Sequence, residues 1–301
     1  MEQQKIEFQR YRDFGQIINA TFEFIKLNFL PLLKSLIFIA GPFLLITGIL
    51  TGFYQKSIFS LYNITSFTQM GIVFLLLIIS AFLTIQMMIV SVYSFLLIYL
   101  SRSEMLPIQI EEVWDGVKQN FFKILGLTLT ISALLGIAIL IFALIIGLMI
   151  GASNNPFLIL LFFIIFFIPI MFFSVKISLV YMIALYEKKG IWQSIQRSFY
   201  LTQNKWWFTL GLIIVLGIIE GLMGFVFQIP QYIVMFVTMF NSMDGSGVDG
   251  VMEMVIMFTS ILSMFQYILY TITIIALAFH YFSLVEQKEA KGLLEKIESI
   301  Q

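Results

Sequence analysis

The sequence lacks cysteine, contains one histidine, and is poor in charge: only 11% of its 301 residues are charged. Without cysteine the chain can form neither a disulfide nor a thiolate metal site or nucleophile. A soluble domain carries about 25% charged residues, so this composition excludes an ordinary soluble fold. The 17 basic residues equal the 17 acidic residues. The chain therefore has no excess of positive charge of the kind that nucleic acid requires, and no nucleic-acid partner is predicted.

What the sequence has instead is long apolar runs. Hydrophobic residues make up 60% of the chain, and its mean hydropathy is +1.00. A helix of about 20 apolar residues crosses a bilayer, and runs that are apolar on every side favour helices over barrel strands. We therefore predict an all-α, polytopic integral membrane protein with six transmembrane helices. These lie near Leu30–Phe53, Met70–Leu100, Phe121–Gly151, Phe157–Tyr186, Trp206–Phe227 and Met254–Val285.

The basic residues are distributed unevenly among the connections between these runs. Fifteen of the 17 Lys and Arg residues fall in the N-terminal arm, in the connections after the second and fourth runs, in the C-terminal tail, or in the first five residues of the run that follows the arm or a connection. Of the other two, Lys56 lies on the opposite side and Lys176 lies inside a run. The positive-inside rule then predicts a multi-pass protein of the bacterial inner membrane with both termini in the cytoplasm.

Three segments before membrane runs have apolar residues three and four positions apart, which is typical of one helix face. The clearest is "IWQSIQRSFYLTQNKWWFTLG", residues 191–211. We predict that each segment forms an amphipathic helix at the cytoplasmic interface, with membrane lipids as partners. The expected aromatic anchors at this interface are Phe22, Trp114, Trp192, Phe199, Trp206 and Trp207.

These segments also align with one another. Superimposing Asn28, Asn120 and Lys205 places Phe22, Trp114 and Phe199 in register. The chain is therefore interpreted as a single membrane domain, residues 1–301, built from three hairpin repeats. The predicted repeats cover residues 13–100, 107–186 and 189–285, and an amphipathic cytoplasmic tail covers residues 286–301.

The stretch "QRSFYLTQNKWWFTLG", preceded by a helix that ends "IALYEKKG", resembles the membrane domain of some glycerophosphodiester phosphodiesterases. It is also similar to related six-span bacterial membrane proteins. Those phosphodiesterases act through a separate soluble barrel with histidine and carboxylate metal ligands. The resemblance therefore implies a membrane architecture and not that activity.

Placing a polar residue inside a membrane run costs free energy, so each such residue is a candidate functional residue. Lys176 and Glu220 are expected at similar depths, and Gln86 lies near the depth of Glu220. One interpretation is an ion or proton relay or a substrate anchor. The other is a structural pair that fixes helix packing, or a lysine whose ammonium reaches toward the interface. His280, near the inner end of the last run, is interpreted as an interfacial hydrogen-bonding residue.

Three classes of function remain open. The first is a non-enzymatic scaffold, assembly factor or accessory subunit of a membrane complex, with other membrane proteins or lipids as partners. The second is a small-molecule or ion transporter or channel that uses Lys176 and Glu220. The third, an intramembrane enzyme acting on lipid, is the weakest, because no catalytic, cofactor-binding or metal-binding constellation is recognisable. The sequence favours the first class.

Overall fold

The computed structural model describes residues 5–59, 64–102, 106–152, 156–243 and 250–290. Every secondary-structure element in these ranges is helical. The α-helices are α1 Phe14–Ile39, α2 Gly41–Phe59, α3 Ile64–Ser101, α4 Ile110–Ala152, α5 Pro156–Ile177, α6 Val180–Tyr186, α7 Ile191–Thr202, α8 Trp206–Met243, α9 Gly250–Met264 and α10 Tyr270–Glu289. A 3-10 turn, Phe265–Leu269, joins α9 to α10.

The all-α class and the long apolar helices are confirmed. Five described segments are long and apolar enough to cross a membrane, and a sixth is obtained if α1 and α2 form one span bent by 56°. The bend falls at Ala40, directly before Gly41 and Pro42, where α2 begins. A proline is tolerated in the first turn of a helix. By contrast, α5 continues through Pro169 and ends at Ile177.

The three predicted interfacial helices take different forms. Only the third is a separate helix, α7. The second is continuous with its membrane run, because α4 extends without a break over 43 residues. The first is joined to its run within α1, across a non-helical residue, Asn28 (φ −110°, ψ 15°). Whether they form repeats stays a prediction. The predicted tail beyond Ala290 and most of the outer loop near Gly247 lie outside the described residues.

The chain divides into two compact units. Unit 1 comprises residues 1–5, 19–121 and 214–276. In unit 1, α2 packs against α3 and α9. The contact with α9 is close at Gly48, where an added Cβ would lie 2.7 Å from the Cα of Ile261. Between α2 and α3, the hydroxyls of Thr47 and Thr84 are 2.9 Å apart. Small residues and hydroxyl pairs of this kind are the usual means of joining helices in a membrane.

Unit 2 comprises residues 6–18, 122–213 and 277–301. Its helix α7 packs against α5 and α6. A buried apolar cluster joins them: Leu127, Ile177, Val180, Ala184 and Ile195. The segment before α1 is tied to α10, because the ring of Phe8 stacks on Phe279 at 4.2 Å between centroids. The backbone N–H of Arg12 also donates to the Ser283 hydroxyl at 3.0 Å.

Candidate functional site

A half-buried carboxylate, Glu187, lies at the centre of a connected group of charged residues in unit 2. It directly follows α6 and its side chain is only 11% exposed. Oε1 accepts hydrogen bonds from the Tyr281 hydroxyl at 2.8 Å and from Arg197 Nε at 3.1 Å. Oε2 lies 2.6 Å from the Lys189 ammonium. Three donors from three different parts of the chain thus converge on one carboxylate.

Arg197 extends this group to a second carboxylate. It lies on α7, binds Glu187 through Nε, and binds Glu289 at the end of α10 through a second guanidinium nitrogen. Burial alone would raise the pKa of Glu187, but the hydrogen bonds from Lys189, Tyr281 and Arg197 outweigh it and hold this pKa below its ordinary value. Burial would lower the pKa of Arg197, but the two carboxylates raise it. Glu187 and Arg197 are therefore both charged at neutral pH.

Helix α7 is positioned by its own sequence as well. It begins after Gly190, whose backbone N–H donates to the Gln193 side chain at 3.3 Å and whose carbonyl accepts the Ser194 N–H at 2.9 Å. It ends at Thr202, and Asn204 follows in the left-handed region (φ 66°). Asparagine tolerates this conformation better than most residues. The break before α8 therefore has a local cause.

The face that α7 buries is small and hydroxylic. Its buried residues are Ser194, Ile195, Ser198, Leu201 and Thr202. The Ser198 hydroxyl donates to the backbone carbonyl of Lys176 at 2.6 Å. The aromatic residue at the start of the predicted stripe, Trp192, is instead 62% exposed. The amphipathic pattern located the helix, but hydroxylic residues make up much of the face that packs.

Some of the predicted aromatic anchors are exposed, and others pack against protein. Four of them are exposed on the described protein surface: Phe22, Trp114, Trp192 and Trp207. Phe199 packs on the buried cluster of unit 2 and lies edge-on to Phe173. Trp206 stacks on Phe172 at 5.6 Å and donates its indole N–H to the Phe172 carbonyl at 3.3 Å. The exposed members are available to lipid, while Phe199 and Trp206 pack against protein.

The three residues of the predicted intramembrane cluster fall in different units. Lys176 belongs to unit 2, and Glu220 and Gln86 belong to unit 1. Lys176 is 8% exposed, and its ammonium lies 5.6 Å from the ring centre of Phe172 and 6.0 Å from that of Phe199. Cation–π contacts of this kind stabilise the positive charge of the ammonium. Pairing of Lys176 with Glu220 stays a prediction.

Glu220 lies beside an interruption in a membrane helix. Its Oε1 accepts the backbone N–H of Thr273 at 2.9 Å, in the first turn of α10 and directly after the 3-10 turn Phe265–Leu269. The first N–H groups of a helix lack intrahelical acceptors, and a carboxylate is well suited to satisfy one. In the same unit Gln86 is fully buried on α3.

A second polar group in unit 1 was not predicted. The Gln231 amide nitrogen on α8 donates to the Gln55 side-chain oxygen on α2 at 2.5 Å. The Ser260 hydroxyl on α9 lies 3.4 Å from the side-chain oxygens of both glutamines. Gln231 lies just beyond the end that the sequence indicated for its membrane run, and α8 continues through it. A longer run would have flagged this glutamine as an intramembrane polar residue.

No protein-family model, no curated protein and no solved structure matches this chain. Nothing in these comparisons bears on the resemblance to the phosphodiesterase membrane domain, which stays a prediction. The inference of function therefore depends on the geometry of the two units alone.

Proposed function

We propose that the chain is a non-enzymatic integral membrane protein that acts as a scaffold, assembly factor or accessory subunit of a membrane complex. The observation that carries this proposal is the way in which α7 is held. Arg197 binds Glu187 and Glu289, which lie at the ends of α6 and α10, and the Ser198 hydroxyl binds the Lys176 carbonyl of α5. A short helix fixed to three others is a rigid element on which a partner can dock.

The surface that α7 presents supports docking. An open groove of about 560 Å³ is lined by Lys189, Gln193, Gln196, Arg197 and Tyr200. Trp192, at the start of the same helix, is 62% exposed. Exposed tryptophan, tyrosine and arginine are the residue types most enriched at the energetic centres of protein interfaces. We propose another membrane protein as the partner, with lipid filling the apolar surface around it.

The orientation is part of the proposal. We propose that this surface and both termini lie on the cytoplasmic side of the bacterial inner membrane, and the excess of basic residues near α7 and in the tail supports this orientation. A reporter that is active only in the cytoplasm should function after Gln301 and fail near Gly247. Activity at Gly247, or silence after Gln301, would contradict this orientation.

The test of the scaffold proposal is site-specific photo-crosslinking in intact cells. A photoreactive amino acid at Gln193 or Gln196 should trap one defined protein, and the same residue at Phe258 should not, because Phe258 is exposed on α9 in unit 1. Arg197→Ala should abolish the crosslink by releasing α7. Lipid-only adducts at Gln193 and Gln196, or equal capture at Phe258, would contradict docking at α7.

A transporter is the second candidate, and one observation favours it. Glu220 lies at the N-terminal end of α10, beside an interruption in a membrane helix, and transporters place ion or substrate sites at such interrupted helices. The glutamine pair Gln55–Gln231 adds polar groups in the same unit. Reconstituted wild-type protein should then carry an ion or solute that the Glu220→Gln variant does not carry. A solute-flux screen in which the two proteins behave alike would remove this candidate.

A further inference from the structure

Two lysines of unit 2, Lys176 and Lys288, differ from the other cations near α7. Arg197 is bound by two carboxylates, and Lys189 is bound by one of the same two, so these charges balance. Within the described part of unit 2, neither Lys176 nor Lys288 makes an ion pair with a carboxylate. An excess of positive charge therefore resides on these two side chains.

The two lysines lie beside consecutive residues of α7. The Lys176 ammonium is 6.0 Å from the ring centre of Phe199. The Lys288 ammonium is 4.3 Å from the ring centre of Tyr200 and donates to the Tyr200 backbone carbonyl. The two lysines are close enough for their charges to act on each other, and Glu289, which also acts on Lys288, is bound by a guanidinium of α7. Two like charges held near each other repel, and an anion bound by both relieves that repulsion.

Both ammonium groups can be reached from outside the chain. Lys288 is half-buried, and Tyr200 beside it is 48% exposed. Most of the Lys176 side chain is buried, and no hydrogen bond holds its ammonium within the described part of unit 2. That ammonium is nevertheless not one of the enclosed side-chain atoms that lack a hydrogen-bond partner, so it reaches the surface. The adjacent ring of Phe172 is exposed as well.

Helix α5 presents an exposed apolar stripe that ends at Lys176. Ile164, Ile168 and Phe172 precede this lysine at intervals of four residues, so they share one helix face. All three are exposed. The helix rises roughly 18 Å from Ile164 to Lys176, which is close to the thickness of one leaflet, about half of a 30 Å hydrocarbon core. A cation at one end of such a stripe matches a phospholipid with an anionic head group.

A tryptophan marks the lysine end of the stripe. Trp206 stacks on Phe172 at 5.6 Å and donates its indole N–H to the Phe172 carbonyl. Trp207, the next residue, is exposed. Tryptophan is enriched at the level of the lipid head groups. The aromatic residues thus favour head-group depth at the same end of the stripe as the lysines.

We propose that this site binds one anionic phospholipid. The phosphate lies between the ammonium groups of Lys176 and Lys288, and one acyl chain lies along Ile164, Ile168 and Phe172. The bound lipid connects the end of α5 to the end of α10 beside α7. This site is separate from the surface proposed for a protein partner, and it does not depend on that partner.

The primary experiment measures contact between a lipid chain and Trp206 in the full chain. The other three tryptophans, Trp114, Trp192 and Trp207, are exposed and are replaced by phenylalanine. The protein is placed in phosphatidylcholine nanodiscs that contain increasing fractions of phosphatidylglycerol or phosphatidylcholine with brominated chains, because bromine quenches tryptophan fluorescence on contact. Brominated phosphatidylglycerol should reach half-maximal quenching at a mole fraction about tenfold lower. Equal quenching by the two lipids would overturn the proposal and leave the lysines for an acidic segment of a partner protein.

Variants locate the head group. Lys176→Met and Lys288→Met should each reduce the preference for phosphatidylglycerol about fivefold, while Lys176→Arg keeps the charge and should keep the preference. Lys118→Met is the matched control, because the Lys118 ammonium in unit 1 is already paired with Asp115 at 2.9 Å. An unchanged preference in both methionine variants, or an equal loss in the control, would overturn the proposal. If Lys176→Met does not fold, an unchanged preference in Lys288→Met is sufficient to overturn it.

A soluble head group distinguishes a lipid from a free phosphate ester. Glycerol phosphate carries the phosphate of phosphatidylglycerol without its chains, so it cannot bind the stripe that ends at Lys176. Millimolar glycerol phosphate should therefore leave the quenching of Trp206 by brominated phosphatidylglycerol unchanged. Recovery of the fluorescence would assign the two lysines to a soluble phosphate ester and would overturn the proposal of a lipid site.

Discussion

Arg197 binds Glu187, ten residues earlier in the chain, and in unit 1 Glu112 binds Arg102 across the same separation with the charges reversed. The alignment that superimposes Asn120 on Lys205 also superimposes Arg102 on Glu187 and Glu112 on Arg197. Each pair joins the residue after a membrane helix to the helical segment that follows. An ion pair thus connects a membrane helix to the following helical segment twice, and the positive and negative residues are exchanged between the two pairs.

This relationship predicts that the unit 1 pair tolerates exchange of its charges. Arg102→Glu alone places two carboxylates together and should lower stability by about 1 kcal/mol, since the pair is partly exposed (24% and 40%) and such pairs contribute little. Adding Glu112→Arg should restore the melting temperature in detergent to near the wild-type value. A double variant no more stable than the single one would contradict a simple ion pair.

The unit 2 pair should not tolerate the same exchange. In an exchanged pair, a glutamate at position 197 would face Glu289, and an arginine at position 187 would face Lys189. Glu187→Arg with Arg197→Glu should therefore melt below either reference protein, the wild type or the exchanged unit 1 variant. A melting temperature equal to wild type would show that the interactions with Glu289 and Lys189 contribute nothing.

Acidification should destabilise unit 2 through Glu187. Because hydrogen bonds hold its pKa below the ordinary value of 4.5, its contribution to folding is present above that value and is lost as the pH falls through the lowered pKa. Glu187→Gln should melt at a lower temperature than wild type at pH 7, and the difference should narrow on titration below pH 4.5. Glu111→Gln, at an exposed position, is the control. A constant difference across this range would contradict the prediction.

The close approach of α2 to α9 predicts an unusual cost for a small substitution. Gly48→Ala would place a Cβ 2.7 Å from the Ile261 Cα and 3.2 Å from a Met264 side-chain carbon. Overpacking of this kind costs about 1–3 kcal/mol. Gly217→Ala is the control, because its added Cβ meets no atom of the described residues within 4 Å outside its chain neighbours and the nearby backbone of its own helix, and it should be neutral or stabilising by up to about 1 kcal/mol. Equal melting temperatures for the two variants would contradict the crossing.

The helices themselves could be predicted because a bilayer forces each apolar segment to satisfy its backbone within itself. The boundaries of the helices were harder to predict from the sequence. An amphipathic stripe is the same whether it ends at a break, as before Trp206, or runs on into the membrane, as in α4. Periodicity could not separate the two cases. The left-handed Asn204 gives the local reason for the break before Trp206.

The charged group around Glu187 could not be derived from spacing alone, because its members come from distant parts of the chain. Tyr281 and Glu289 lie about a hundred residues after Glu187. One signal was present: opposite charges ten residues apart at aligned positions. The buried face of α7 was missed for another reason. Hydrophobic periodicity assigns apolar residues to the interior, whereas Ser198 and Thr202 pack inside through hydrogen bonds to backbone carbonyls.

Substitutions of Glu220 distinguish a structural role of its carboxylate from a role in an ion pair. Its carboxylate accepts the Thr273 backbone N–H, and a glutamine offers an oxygen of the same shape. If this hydrogen bond is the whole contribution of Glu220 to stability, Glu220→Gln should melt near the wild-type temperature. Glu220→Leu, which leaves a half-buried N–H without this acceptor, should lose about 1–3 kcal/mol. Thermal unfolding in detergent measures both.

An ion pair between Glu220 and Lys176 predicts instead that Glu220→Gln is strongly destabilised as well. Glu220→Gln would then strand a buried ammonium and cost roughly 3–5 kcal/mol, and Lys176→Met in the same chain would recover much of that loss, because no charge is left unpaired. A stable Glu220→Gln variant that gains nothing from Lys176→Met would remove the pair. Lys176 would then be held by the rings of Phe172 and Phe199, and Glu220 would act as the acceptor that allows the helix to resume at α10.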